Sequence, residues 1–351
     1  MATVGIVRID TGRDRTLWIG SYTGEMGQGE GVSRLSPGAS APEPVGLDVP
    51  SPSWLVDVGT GVLAVSEADP GLVTRAGDDG ESGAGQPTGS GWPCHAAVLS
   101  PTLLAVAHYG AGTVTALGLD DGRPGEVITT IDLSGRPLGP QADRQDGSHP
   151  HQVVLDEASG ELLIPDLGAD VVHRIPVRGT EIGPPEQDAA TMPPGFGPRH
   201  LVLTGDLMVV VGELSSELWV GRRDDGAPSG WSAVGTTSTL LHPFDPAGSS
   251  DPDVGNLPSA IRLEGDVIAV GNRGADRVSL LRLDHATGTL SPITEVPAHG
   301  EWPRDLLLDG DDVWVACERA HRVTRVRWRG PEAGTLIASW ETGSPTALLL
   351  R

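Results

Sequence analysis

Apolar runs recur along the chain in pairs. A proline opens the first run of each pair, a short turn follows, and a second apolar run ends on polar residues. The first runs begin at Pro52, Pro93, Pro150, Pro198, Pro258, Pro303 and Pro345 and read PSWLV, PCHAAV, PHQVVL, PRHLVL, PSAIRL, PRDLLL and PTALLL. The second runs are VLAV from Val62, LLAV from Leu103, LLIP from Leu162, MVVV from Met208, VIAV from Val267 and VWVA from Val313. Short aliphatic and β-branched runs bounded by Gly and Pro predict strands. After most pairs, turns such as YGAG, LGAD or RGAD lead into alternating segments (TVTALGL, VVHRIPV, RVSLLRL), whose period of two predicts a third strand with unlike faces. A weaker fourth strand, such as EVITTIDL, follows in most units.

Successive prolines stand 41 to 60 residues apart, against about 40 to 50 for a four-stranded propeller blade, so the wider intervals predict loop insertions. The pairing fails only at the ends. PTALLL has no partner after it, and LWIG from Leu17 has no proline run before it. A repeat cut between its first two strands, with the halves at opposite termini, predicts a ring closed by its own ends. The expected fold is all-β, a single seven-bladed β-propeller spanning residues 1–351 with its N- and C-terminal strands paired.

Composition agrees with a turn-rich chain, at 49 Gly and 30 Pro in 351 residues. A length prior alone suggests two domains, but no single repeat can bury its apolar face unaided. No apolar run reaches the roughly 18 residues of a membrane span, and the start, MATVGIVRIDTGRDR, lacks the apolar core of a signal peptide, so the reading is cytoplasmic with no membrane partner. Two cysteines, Cys94 and Cys317, predict two thiols rather than a disulfide framework. A formal charge of -23 argues against a nucleic-acid partner. Lysine is absent altogether, which excludes a Schiff-base lysine and any lysine-dependent cofactor attachment.

A ring makes equivalent positions neighbours around its axis. The residues after the prolines are Ser53, Cys94, His151, Arg199, Ser259, Arg304 and Thr346. Aligned on the turns, the residues after the second runs are Ser21, Glu67, His108, Asp166, Glu213, Asn272 and Glu318, with Tyr22, Ala68, Tyr109, Leu167, Leu214, Arg273 and Arg319 one place further on. A wet axial channel is polar whatever its function, but the distribution here is uneven. His151, Arg199, Glu213 and Arg273 come from three consecutive units, and basic side chains around one carboxylate in an acidic chain point to an anion site containing an acid or base.

The strings GSYT, PSWL, PCHAAV with AHYGAGTV, SHPHQVVLD with DLGADVV, GPRHLVL with GELSSEL, SAIRL with GNRGADRV, and WPRDLLLD resemble, in order, the blade motifs of the seven-bladed propeller lactonases. That family includes the propeller-type 6-phosphogluconolactonases and the fungal carboxymuconate-lactonizing enzymes. The resemblance implies an enzyme of carbohydrate metabolism acting on a small anionic lactone with no cofactor, hydrolysing 6-phosphogluconolactone, with a carboxymuconate-type cycloisomerase or another sugar lactonase as variants. It carries functional roles onto His151 of the HPHQ string, Arg199, Glu213 and Arg273. His149, Asp166, Tyr22, His108, Asn272 and Arg304 are substrate-binding candidates. Two positions depart from the family pattern: His108 stands where an asparagine usually precedes YG, and CERAHRV follows VWVA.

Lactone hydrolysis needs a positioned water, a base, and donors for the carbonyl oxygen as it becomes negative. Glu213 with His151 is expected to move the proton, in either order, while Arg199 and Arg273 hold the anionic oxygen or a substrate phosphate. No GxSxG elbow accompanies Ser148 and His149. Cys94 reads as a buried small residue. The main rival is a divalent-metal site drawn from His149, His151, Asp166, Glu213 and Asn272, against which Arg199 and Arg273 set fixed positive charge. His95 and His200 follow ring positions, so strand alternation predicts that they face the blade packing. The insert between Ile131 and Ser148 reads equally as a rim over the site or a disordered loop, and a second lies between His242 and Leu257. The other function class is a non-catalytic propeller scaffold. A monomer is favoured.

Overall fold

A computed structural model describes residues 15–78, 82–185, 187–227, 229–245, 247, 251 and 255–351; the first fourteen residues and part of the insert between His242 and Leu257 lie outside the described residues. Seven antiparallel sheets follow one another along the chain. Blade 1 begins at Pro52–Asp57, blade 2 at Pro93–Ser100, blade 3 at Val154–Asp156, blade 4 at Pro198–Thr204, blade 5 at Leu257–Glu264, blade 6 at Pro303–Asp309 and blade 7 at Pro345–Leu350. Blade 7 closes the ring: Pro345–Leu350 pairs antiparallel with Leu17–Ser21, placing Leu350 opposite Leu17, Leu348 opposite Ile19 and Ala347 opposite Gly20. Ala347 and Leu348 are buried, and Leu349 and Leu350 are half-buried.

The second strands are apolar throughout because both of their faces are covered. Along Leu103–His108, Leu103, Ala105 and Ala107 pack with Leu162 and Ile164 of blade 3, while Leu104 and Val106 pack with Leu63 and Val65 of blade 1. Seven apolar clusters result, one between each neighbouring pair of blades. The cluster joining blade 7 to blade 1 holds Trp18 against Leu55 and Val62, and that joining it to blade 6 holds Leu17 and Ile19 against Trp314. Fourth strands lie outermost, and Arg123–Asp132 is mostly exposed or half-buried.

Six of the first strands carry a break in register directly after the proline. The register slips between Pro52 and Trp54, Pro93 and His95, Pro198 and His200, and Pro303 and Asp305. Before the proline, Ser51, Trp92, Gly197, Trp302 and Ser344 have positive φ. In blade 3 the break is wider: Pro150 makes an isolated bridge to Asp166 and regular pairing starts only at Val154, later than the expected strand from Pro150. A bulge re-aims side chains and interrupts alternation, and this shapes the axis.

Candidate active site

Six of the seven residues that follow the prolines, Ser53, Cys94, His151, Arg199, Arg304 and Thr346, line one cavity on the axis. Trp54, His200 and Asp305 line it too. These are the next residues along, and the bulge turns them to the same side as their predecessors. His200 therefore does not face the blade packing as alternation predicts. Its ring lies 5.7 Å from Trp54, 5.8 Å from His95 and 5.2 Å from His151. Trp54 in turn lies 4.1 Å from His95. These rings, from blades 1, 2, 3 and 4, form a floor.

Above the floor, Glu213 is 2 % exposed. Its Oε2 lies 2.8 Å from an Arg273 Nη and 2.9 Å from Arg199 Nε, and Oε1 accepts a hydrogen bond from Arg144. The Arg199 Nε–H is not aimed at the carboxylate, so that contact is charge pairing rather than a hydrogen bond. Glu213 follows the second strand of blade 4, and its N–H donates to Gly197 O at 2.8 Å. The Gly197 N–H is fixed in turn on Asp170 Oδ1 at 2.7 Å. Gly197 combines φ of +63° with a virtual Cβ only 2.4 Å from Leu214, so no side chain fits there. Arg273 is held by Nε donating to Leu257 O at 3.0 Å.

Burial alone would raise the Glu213 pKa, but Arg273, Arg199 and Arg144 outweigh it and hold the carboxyl far below the usual range. Arg199 is lowered to about 9 by burial and by Arg273, and stays charged at neutral pH. Burial, then Arg199, drives His151 well below its ordinary value, leaving a neutral imidazole. Its Nδ1 sits 3.9 Å from the Cys94 sulfur, and no hydrogen bond among the described residues engages Nε2. Cys94 is a buried thiol, pushed up by burial, and Cys317 is also free and buried.

Across the mouth, the Tyr22 hydroxyl donates to Glu67 Oε2 at 2.6 Å and accepts from Arg304, which also donates to Glu318 at 3.3 Å. The structure does not bring His108, Asp166 or Asn272 to this cavity. His108 Nε2 pairs with Thr115 Oγ1 at 2.9 Å, and Asn272 donates to Ser279 Oγ at 3.0 Å. Asp166 accepts from His149 N–H at 2.7 Å and contacts His173 Nε2 at 2.9 Å. All three are fully buried anchors inside their blades. They pair directly with Pro93, Pro150 and Pro258, and the equivalents in blades 1, 4 and 6 are Ser66, Gly212 and Cys317. One place further on, Tyr22, Glu67 and Glu318 meet Arg304, and Glu213 meets Arg199 and Arg273. His149 stacks on Tyr109 at 4.5 Å with its Nδ1 2.9 Å from Tyr109 O and its Nε2 2.8 Å from Asp146. These donors are dispersed, and among the described residues no group of three or more His, Cys, Asp or Glu side chains is arranged to hold a metal ion.

Sequence reading missed Arg144. It belongs to the insert before Ser148, whose Gln145 is buried and donates to Leu167 O at 2.9 Å. The insert is thus packed on the rim, and its place directly before the histidine string was the available signal.

Comparison with known proteins agrees with the fold. A 6-phosphogluconolactonase of Bacillus subtilis is 25% identical over 223 residues, 62% of this chain and 60% of that protein, so the match spans less than two thirds of that relative. A solved protein of Lactobacillus plantarum superposes with a TM-score of 0.81 at 23% identity, over 97% of this chain and 100% of its own. The periplasmic gluconolactonase of Pseudomonas aeruginosa gives 0.79 at 24%, over 96% and 98%. At those identities the two structures speak for the fold alone. The family model described as lactonase, 7-bladed beta-propeller, matches residues 16–347, and the chain belongs to that family.

Proposed function

We propose that this protein hydrolyses a sugar lactone, 6-phosphogluconolactone to 6-phosphogluconate, with His151 as the base. The observation that carries the reading is the His151 imidazole lining one axial cavity with the Arg199 and Arg304 guanidiniums, where burial and Arg199 hold it below its ordinary pKa. Glu213 serves worse as the base, because a carboxylate pinned by three arginines has little affinity for a proton. Its role is to gather those arginines. In the reaction, His151 Nε2 takes a proton from water while the oxygen attacks the lactone carbonyl. Arg199 and Arg273 stabilise the oxyanion. As it collapses, the ring C–O bond breaks and the imidazolium returns its proton to the departing alkoxide, leaving a hydroxy acid that ionises. The 6-phosphogluconolactonase name of the Bacillus relative supports the substrate assignment. Assays on phosphorylated and plain gluconolactone, with spontaneous hydrolysis subtracted, test it. Enzymatic turnover that prefers the phosphorylated lactone is expected, and no acceleration of either overturns the reading.

A further inference from the structure

Cys94 lines the axial cavity beside His151, yet the hydrolytic steps leave it unused. It is buried, and burial pushes its thiol up, so the group stays protonated and is neither a nucleophile nor a thiolate partner. Its neighbours decide what each of its atoms does. The thiol has one hydrogen, and two carbonyls stand within reach of it, His151 O at 3.5 Å and Pro150 O at 3.6 Å. With that hydrogen on a carbonyl, the sulfur is left as an acceptor. The Tyr109 N–H faces it, and so does His151 Nδ1 at 3.9 Å. The His151 carbonyl, also close to Nδ1, favours a hydrogen on the same nitrogen.

The imidazole is held in this orientation by packing. Tyr109 and His200 each set a ring 5.2 Å from it, at 68° and 77° to its plane. The His151 N–H donates to Pro165 O at 3.0 Å and fixes the backbone beneath. A neutral imidazole carries a single N–H, and the bond made at one nitrogen decides which nitrogen keeps its lone pair. Acceptors gather at Nδ1, so the lone pair belongs to Nε2.

We propose that Cys94 is a positioning residue, whose sulfur accepts the Nδ1–H of His151 and so keeps the Nε2 lone pair available as the base. This rests on the hydrolase reading, to which it adds the group that orients the imidazole. The contact survives the reaction, because the imidazolium formed when Nε2 takes a proton still donates from Nδ1. A thiol brings no charge, so it sets the tautomer and leaves the lowered pKa of His151 to burial and Arg199.

The tautomer can be read without turnover, so the test can fail independently of that reading. Long-range proton–nitrogen correlation spectra are recorded on the full chain with its histidines nitrogen-labelled, and the His151 signals are identified by their loss in His151→Asn. At neutral pH the native protein is expected to carry its hydrogen on Nδ1, and Cys94→Ala to gain the Nε2–H form. In assays on 6-phosphogluconolactone, Cys94→Ala should lower kcat about fivefold, within what one net hydrogen bond supplies, with KM unchanged. Cys94→Ser keeps an acceptor and should recover most of that loss. A native chain without turnover would remove the hydrolase reading and leave the spectra to decide whether Cys94 sets the tautomer. An Nε2–H tautomer in the native protein, a tautomer unchanged in Cys94→Ala, or undiminished kcat in that variant overturns the proposal.

Discussion

In the proposed mechanism, Glu213 and His151 divide the proton chemistry by their surroundings. One carboxylate meets Arg144, Arg199 and Arg273, which hold its pKa far below the usual carboxylate range and keep it ionised at neutral pH. His151 is held neutral by burial and by Arg199, with Glu213 the main influence in the other direction. A base must be unprotonated, so activity should be flat above about pH 6.5 and fall as pH drops through the lowered His151 pKa. Glu213→Gln removes the shared counter-ion of the arginines and should cut kcat/KM on the order of a hundredfold. Since that carboxylate props up the imidazole, the acid limb of the variant's pH profile should persist and move to lower pH. Loss of the limb in Glu213→Gln would make Glu213 the base. That His151, Arg199, Glu213 and Arg273 gather at one side of the axis was legible in the sequence, but how they pair was not. Three guanidiniums around one carboxylate is a fact of packing, and Arg144 lies 69 residues from Glu213.

At the scale of elements, the strands were legible because both faces of each second strand are buried, which leaves an apolar run and a polar stop. The break in register after the prolines was not. It places Arg199 and His200, or Arg304 and Asp305, on one cavity wall, where simple alternation would separate them. The ends of the second strands were also misaligned by one residue, because the true last positions include Ser66, Gly212 and Cys317, which carry no polarity signal in common. His108, Asp166 and Asn272 therefore looked like channel residues when they anchor blade corners. The rim insert makes a prediction of its own. Arg144 reaches Glu213 from a loop and is half exposed to the mouth, at 35% of its side chain, so Arg144→Ala should raise KM several-fold with little change in kcat or melting temperature. A loss confined to kcat would place Arg144 in the chemical step instead.

The whole molecule is a ring whose last strand belongs to the same sheet as its first. Deleting residues 344–351 removes that pairing and the Ala347 and Leu348 packing, and exposes two sheet edges. Circular dichroism should then show a melting temperature lower on the order of ten degrees, or the chain should aggregate; unchanged melting would contradict closure by strand pairing. Acid stability is also a property of the ring. His95, His151 and His200 cluster on the axis with pKa values lowered by burial, and His108 is lowered to about 4 by the same cause. Each is neutral when folded and free to protonate when unfolded. Their contribution is therefore complete above about pH 6.5 and lost as pH falls below it, by up to about 1.4 kcal/mol per pH unit for each histidine. His173, raised by Asp166 and Asp188 against its burial, and Asp305, raised by its burial, work in the opposite sense. Urea denaturation from pH 7 to pH 4.5 should show a steep loss of stability, and a flat profile would mean the axial histidines are hydrated. The central claim is that a neutral His151 beside Arg199 and Arg273 drives lactone hydrolysis, and it is tested most directly by comparing 6-phosphogluconolactone hydrolysis by the native chain and His151→Asn. The account predicts enzymatic turnover that falls on the order of a hundredfold or more in the variant while substrate binding is retained. Turnover undiminished in His151→Asn, or absent from the native chain, would contradict it.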